Sequence, residues 1–297
     1  MSMNQFSESS PSLRKSETHR SGFVSLVGRP NVGKSTLLNG FLEKKVTIVS
    51  DKPQPTRTES RGVLTGSGFQ IVFCDTPGIH KPRTLLGRRL NDTARFTLKE
   101  IDLVLFLIEA DSVIGKGDKF IAKSLPPEKT VLVLNKIDKV KSGRILTQLN
   151  RASEFSFAEY FPVSASTGEG VPELLEHIKT ILSPGPQYFP EGMETDFSES
   201  FWVAELVREQ LLAEVHDELP HSIATRVTEW NWPHIRCEIL VERDSQKGIV
   251  IGHKGQVLKK VGIEVRKQLQ EGAFIELVVK VEKDWQKRPR SLDRFGY

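Results

Sequence analysis

Cysteine and long apolar runs are scarce in this chain of 297 residues. The two cysteines, Cys74 and Cys237, lie far apart and form no C-x-x-C motif, so neither a zinc site nor a disulfide framework is indicated and a reduced, cytosolic setting is favoured. The longest apolar run, residues 101–110, is short and holds two acidic residues, which predicts a buried strand and not a membrane span. Residues 1–20 lack the apolar core of a secretory signal and are expected to form a disordered tail.

A strong charge of either sign is also absent. The net charge of +4 permits an anionic partner without requiring one. The apolar fraction of 38%, the charged fraction of 27% and a mean hydropathy of −0.30 are typical of a soluble globular protein. The length allows two domains of ~100–200 residues each. We expect a first domain over 21–183, a proline-rich linker over 184–197, a second domain over 198–284 and a basic tail over 285–297.

Apolar, β-branched segments alternate with helical ones in the first domain. The predicted strands lie within 23–28, 70–75, 102–110, 130–136 and 160–165. Near-continuous apolar strands separated by helices predict an α/β fold with a mixed, mostly parallel sheet covered on both faces. After the linker, the order helix–strand–strand–helix–helix–strand predicts a smaller α+β unit.

A glycine-rich loop follows the first predicted strand. Residues 28–35 match G-x-x-x-x-G-K-[ST], a pattern whose backbone N–H groups cradle phosphate oxygens at the start of a helix. Lys34 would span the β- and γ-phosphates, and the Ser35 hydroxyl would ligate Mg²⁺. The predicted nucleotide contacts of this loop are Gly28, Arg29, Pro30, Asn31, Val32, Gly33, Lys34, Ser35 and Thr36.

Three further segments, residues 73–78, 131–138 and 163–168, support a nucleotide site. Asp75 ends a strand and would hold Mg²⁺, and Gly78 would let its N–H approach the γ-phosphate. Asp138 would accept hydrogen bonds from the N1–H and the exocyclic amine of guanine, which adenine cannot offer, so the site predicts a guanine nucleotide, GTP or GDP. The remaining predicted contacts are Thr76, Pro77, Ile79, Asn135, Lys136, Ile137, Ser164, Ala165 and Ser166.

The segment between the loop and Asp75 is expected to be a mobile switch. A threonine there can reach Mg²⁺ and the γ-phosphate, and Thr56 is favoured over its rival Thr58. The basic stretch after Gly78 is a second candidate switch. Ile79 stands where many GTP-hydrolysing domains place a glutamine, so slow intrinsic hydrolysis is expected. Asn31 either caps the loop or ligates a monovalent cation that neutralises charge during hydrolysis.

The second domain contains a different glycine loop, Gly252-His253-Lys254-Gly255, between two helical pieces. In KH domains, G-x-x-G clamps the backbone of about four nucleotides. Ile249, Val250 and Ile251 are expected to form an apolar groove for bases, and Lys259 and Lys260 to add positive charge. These residues predict single-stranded RNA as the ligand.

The charge of the second domain is polarised. Residues 197–242 carry 3 Lys or Arg against 9 Asp or Glu, whereas residues 243–297 carry 13 against 7. A basic half centred on the glycine loop is typical of a surface that binds a nucleic-acid backbone. A solvated surface on a small protein-binding domain is the alternative.

Taken together, "GRPNVGKST", "DTPGIH" and "NKID" followed by "VIGHKGQVLKKVGIEVRKQLQ" resemble the Era family of bacterial ribosome-assembly GTPases over about residues 20–297. The resemblance implies a type II KH fold, binding near the 3′ end of 16S ribosomal RNA and a role in maturing the 30S subunit. It also implies partial association with the inner membrane, Thr56 as the first-switch threonine and Asn31 as a K⁺ ligand. We expect the protein to be a monomer in the cytoplasm.

Two features depart from that family. Pro55 stands where a threonine is expected before the switch threonine, so the first switch is expected to be stiffer. The serine-rich extension at the N-terminus is longer than is typical. Two alternative functions are a GTPase that assists tRNA modification, for which no further catalytic domain is evident, and an RNA-binding module with an inert nucleotide domain.

Overall fold

The first domain is built on a mixed sheet. The structure of the protein is a computed structural model that describes residues 19–52, 57, 60–75, 84–97, 101–215 and 219–297. In these ranges the sheet has six strands in the order β2-β3-β1-β4-β5-β6. They are β1 (Arg20–Gly28), β2 (Ser60–Gly66), β3 (Phe69–Asp75), β4 (Leu103–Glu109), β5 (Thr130–Asn135) and β6 (Glu159–Pro162). As predicted, the sheet is mostly parallel; only the β2–β3 pairing is antiparallel.

Helices cover both faces of this sheet. They are α1 (Lys34–Leu42), α3 (Lys116–Ala122), α4 (Ser142–Ala152) and α5 (Val171–Ile181), whereas α2 (Leu85–Thr97) packs against residues near the end of the chain. Two apolar clusters lie on opposite faces, one against α1 and α5 and one against α3 and α4. The parallel strands therefore place their carboxyl ends at one edge between two buried layers. Within the described residues, no helix has the length and apolar character that crossing a bilayer requires.

The proline-rich linker lies on the first domain over much of its length. The Gln70 side chain accepts hydrogen bonds from the backbone N–H groups of Tyr188 (2.7 Å) and Phe189 (2.9 Å). Further along, the Val63 N–H donates to the Glu194 carbonyl at 2.9 Å. The linker thus crosses from β3 to β2, an association that proline content alone does not reveal.

The second domain has the predicted order of elements with two additional short helices, one before the first strand and one after the last. The elements are α6 (Glu199–Glu214), α7 (Leu219–Ser222), β7 (Ala224–Asn231), β8 (His234–Val241), α8 (Asp244–Ile251), α9 (Gln256–Arg266), β9 (Phe274–Val281) and α10 (Pro289–Arg294). β8 lies between an antiparallel β7 and a parallel β9. The buried Cys237 belongs to the core between this sheet and the helices, and burial raises the pKa of its thiol to about 12.

The segment after β9 is folded, although the sequence predicted a basic tail over 285–297. Trp285 and Leu292 are fully buried, and Phe295 is 8% exposed. These side chains pack in one cluster with Leu86 and Leu90 of α2. The apolar residues alternate with Lys and Arg, so the segment can bury one side while its charges remain outside.

Candidate nucleotide and RNA sites

The phosphate-type loop joins β1 to α1 at the carboxyl edge of the sheet. Gly33 has φ +100°, and a Cβ there would lie 2.2 Å from Asn135 Nδ2. A Cβ on Gly28 would lie 2.6 Å from the Leu107 carbonyl oxygen. Both positions therefore require glycine, which leaves the loop backbone close enough to its neighbours to curl around an anion.

Lys34 begins α1 and lies inside this loop. Its side chain is buried, and Nζ donates to the carbonyl oxygens of Arg29 (3.2 Å) and Gly28 (3.4 Å). Burial lowers the pKa of Lys34, while the nearby Asp75 carboxylate acts in the opposite direction. A cation held by neutral carbonyls in a desolvated loop is well placed to meet an anionic ligand.

Ser35 and Asp75 present oxygen atoms side by side below the loop. The Ser35 hydroxyl donates to Asp75 Oδ2 at 2.7 Å, and both side chains are buried. α1 supplies the hydroxyl and the end of β3 supplies the carboxylate. A hydroxyl and a carboxylate are the oxygen ligands that Mg²⁺ prefers, so this pair fits the predicted ion.

Asn135 connects three loops at the end of β5. Its Nδ2 donates to the Val32 carbonyl at 2.8 Å, and its Oδ1 accepts the Ala165 N–H at 2.9 Å. The neighbouring Lys136 Nζ donates to the Asn31 carbonyl at 2.8 Å. The phosphate loop is thereby fixed to both segments that are predicted to hold the base.

Asp138 is oriented by a serine from the other base-contacting segment. Its Oδ1 accepts the Ser164 hydroxyl at 2.6 Å. Ser164 and Ala165, two of the predicted nucleotide contacts, donate their backbone N–H groups within the protein, that of Ala165 to Asn135 and that of Ser164 to the Glu169 carbonyl at 2.8 Å. The carboxylate is thus held in place by the adjacent turn.

Asn31 has a left-handed backbone, with φ +66°, at the outer end of the loop. Its Nδ2 donates to the Asp51 carbonyl at 2.6 Å. Among the described residues its Oδ1 is buried and has no hydrogen-bond partner. A buried amide oxygen without a donor costs free energy unless something binds it, and a monovalent cation is a suitable partner.

Two carboxylates at this edge were not predicted. Glu109 ends β4 and pairs with Lys136, and the buried Asp118 accepts a hydrogen bond from Arg29 Nε at 2.7 Å. They extend the network from the base-contacting segment to α3. Glu109 stands at the carboxyl end of a parallel strand, which is the one sequence signal that could have identified it.

The other predicted contacts divide into two groups. Pro30, Thr36, Ile137 and Ser166 lie in the loops and helix start just described. Thr56, Thr58, Thr76, Pro77, Gly78 and Ile79 lie outside the described residues.

The second glycine loop lies between α8 and α9. Gly252 and Gly255 have φ +74° and +77°, and a Cβ on Gly252 would lie 2.5 Å from Val257 Cγ2. His253 and Lys254 are exposed at the tip. The loop therefore offers an uncovered backbone together with one positive charge to a phosphate chain.

The flanks of this loop agree with the prediction in part. Ile249 is 55% exposed and Ile251 is half-buried, so both can line a groove. Val250 is fully buried, and its prediction as a groove residue was wrong because successive helical residues point about 100° apart. Lys259 is exposed, whereas the Lys260 ammonium pairs with Glu214 at 2.7 Å, which raises the pKa of Lys260.

These two sites define the class: a P-loop GTPase domain followed by a KH domain. A family model described as a 50S ribosome-binding GTPase matches residues 23–136, and one described as a KH domain matches residues 218–286. GTPase Era of Clostridium botulinum (strain Eklund 17B / Type B) is 46% identical over 290 residues, covering 94% of this chain and 98% of that protein. GTPase Era of Clostridium beijerinckii is 44% identical over 94% of this chain and 97% of that protein. The chain belongs to the Era family of GTPases.

Solved structures agree with this assignment. A crystal structure of Era in complex with MgGDPNP and nucleotides 1506–1542 of 16S ribosomal RNA has a TM-score of 0.91 and 36% identity, covering 94% of this chain and 99% of that one. Era of Aquifex aeolicus bound to GDP and AlF₄⁻, as a point variant, has a TM-score of 0.90 with the same identity and coverage.

Proposed function

We propose that this chain is a guanine-nucleotide switch whose triphosphate state presents its KH domain to the 3′ end of 16S ribosomal RNA during 30S assembly. The observation that carries the proposal is the presence, in one chain, of a guanine-type nucleotide site and an exposed G-x-x-G loop. The Era relative that was solved with MgGDPNP and 16S rRNA nucleotides supports it, because that chain is matched over 99% of its length. A monomeric, cytoplasmic protein with peripheral contact to the inner membrane belongs to the same proposal.

The residues of the first domain have distinct roles in this proposal. Lys34 binds the β- and γ-phosphates, Asp138 selects guanine and Asn135 keeps the loops in register. Ser35 and Asp75, with Thr56, hold Mg²⁺, which offsets the charge of the phosphate oxygens when bound. Ile79 offers no polar group to orient water, so hydrolysis is slow.

Turnover in K⁺ and Na⁺ tests the role of Asn31. We expect GTP hydrolysis to be about tenfold faster or more in K⁺ at equal ionic strength, because a cation on Asn31 Oδ1 offsets charge that develops in the transition state. The Asn31→Ala variant should hydrolyse GTP at one rate in both salts. The measurement is phosphate release with and without a 16S rRNA 3′-end oligomer. Equal rates in K⁺ and Na⁺ for the unchanged chain would refute the cation site, and no turnover in any condition would favour the inert module.

The Gly252→Asp variant tests the RNA site. We expect RNA affinity to fall by roughly tenfold or more, since a carboxylate and a displaced loop remove charge-assisted hydrogen bonds to phosphate. GTP affinity should not change, because the substitution lies in the other domain.

Gly192→Asp is the matched control. Gly192 also has a positive φ, +81°, and lies in the linker with no atom within 4 Å of an added Cβ. The Gly192→Asp substitution therefore adds the same charge and the same type of backbone strain at a position away from the RNA loop. RNA affinity measured by fluorescence anisotropy should fall only for the Gly252 variant; loss of both RNA and GTP binding in that variant would contradict two separate sites.

A further inference from the structure

The segment that joins α1 to β2 contacts the second domain near its beginning. Lys45 Nζ donates to Glu209 Oε2 at 2.5 Å and to Gln268 Oε1 at 2.7 Å. The Val49 N–H donates to Glu209 Oε1 at 3.0 Å. One carboxylate of α6, itself 8% exposed, therefore holds both a side chain and the backbone of this G-domain segment.

Farther along the same segment, Arg57 enters the second domain. Its side chain is 2% exposed, Nη2 donates to the Pro220 carbonyl at 2.9 Å and Nη1 donates to the Ile223 carbonyl. The guanidinium carbon lies 5.9 Å from the Trp285 ring centroid and 5.8 Å from that of Tyr297. We call these four residues the Arg57 socket. It combines backbone acceptors on one helix end with two aromatic rings from the folded C-terminal segment.

The socket fits an arginine side chain, although burial of the guanidinium charge is itself unfavourable. Burial lowers the pKa of Arg57, Tyr297 and Glu205 act against that shift, and Arg208 adds to it. A buried guanidinium is retained only where several acceptors and ring faces meet it together. A displacement of the second domain by a few ångströms would separate Arg57 from these acceptors, so the contact favours one relative position of the two domains.

Both contacts are close in the chain to the nucleotide site. Arg57 stands three residues before Ser60, which pairs with Asp75 in the β2–β3 register. It also directly follows Thr56, the predicted Mg²⁺ ligand. At the beginning of the segment between α1 and β2, Lys45 closely follows α1, the helix that begins with Lys34.

We propose that Arg57 is a positioning residue that couples the nucleotide site to the KH domain by occupying a socket formed by Pro220, Ile223, Trp285 and Tyr297. This inference rests on the proposed function, since it takes nucleotide and RNA as the two coupled ligands. Because coupling is reciprocal, the same contact makes RNA affinity depend on the nucleotide and nucleotide affinity depend on RNA.

The test is a binding cycle on the full chain. RNA affinity is measured by anisotropy with a synthetic oligomer of 16S rRNA nucleotides 1506–1542, in Mg–GDPNP and in Mg–GDP. For the unchanged chain we expect the GDPNP state to bind at least about fivefold more tightly, the lower end of typical allosteric coupling. In Arg57→Ala this ratio should fall to about one, while GDPNP affinity without RNA and RNA affinity in GDP stay unchanged. A purely structural role would instead lower both affinities together.

Two further variants separate coupling from general damage. Lys44→Ala removes a cation from the same segment that pairs with Glu194 of the linker, and it should keep the full ratio. Arg57→Lys retains the charge, but its donors all lie on one nitrogen and lack the planar fork that reaches both carbonyls and both rings, so an intermediate ratio is expected. An Arg57→Ala protein that folds and keeps the same ratio as Lys44→Ala would overturn the inference.

Hydrogen exchange on the unchanged chain gives a test that does not depend on a variant folding. Exchange in the peptide containing residues 219–224 should differ between the GDPNP and GDP states. No difference there, in a chain that binds both nucleotides and RNA, would overturn the role of Arg57 alone. Failure to bind guanine nucleotide or RNA at all would instead overturn the proposed function.

Discussion

Replacing Lys34 by alanine is expected to abolish useful GTP binding. The ammonium is buried inside the loop, and its removal should cost about 3 kcal/mol or more, roughly a hundredfold in the dissociation constant. Triphosphate should be affected more than diphosphate, since Lys34 is expected to meet the γ-phosphate as well as the β-phosphate. Calorimetric titration with GTP and GDP measures both affinities.

Lys123→Ala is the control for that substitution. Lys123 follows α3 in the same domain and its side chain is exposed. Its loss removes an equal charge without touching the loop, so GTP affinity should remain that of the unchanged chain. A folded Lys34→Ala protein with unchanged GTP affinity would show that the loop does not bind the phosphates.

Asn in place of Asp138 is expected to change which base the site prefers. An aspartate offers two acceptors to the N1–H and amine of guanine, whereas an amide offers one acceptor and one donor. Xanthine keeps N1–H and carries a carbonyl in place of the amine, so it matches the amide. We expect GTP affinity to fall by roughly a hundredfold, because the N1–H then meets a neutral acceptor and the amine of guanine faces the amide donor. Xanthosine triphosphate should bind in its place.

The control for the base substitution is Asp111→Asn, an exposed carboxylate beyond the end of β4. It should leave both nucleotide affinities unchanged. Competition between GTP and xanthosine triphosphate for a fluorescent guanine nucleotide measures the preference directly. A retained preference for GTP in Asp138→Asn would exclude Asp138 as the group that reads the base.

The nucleotide site was predictable because its chemistry is local in the chain. Glycines at 28 and 33 and the adjacent Lys34 and Ser35 act within one turn between a strand and a helix. The position of Asp138 after an apolar strand predicts it as the base-contacting carboxylate. The structure adds how these segments are held together. Asn135 contacts Val32, which lies 103 positions earlier in the chain, and Ala165, which lies on a separate loop.

Features that depend on distant partners were not predictable. β2 has few strongly apolar residues, and its pairing with β3 defines it more than its composition does. The segment after β9 reads as a basic tail until α2 and the second domain are seen to bury Trp285 and Leu292. Arg57 carries no motif of its own, since its role depends on carbonyls more than 160 positions away.

RNA affinity in different nucleotide states tests the switch most directly. The unchanged chain would be titrated with the 16S rRNA oligomer in saturating Mg–GDPNP, Mg–GDP and the corresponding non-hydrolysable ATP analogue. We predict that RNA binds most tightly in the presence of GDPNP. The ATP analogue should give an RNA affinity no higher than that of the chain without nucleotide. Equal RNA affinity in all of these conditions, or an ATP analogue that acts as well as GDPNP, would contradict a guanine-specific switch controlling the KH domain.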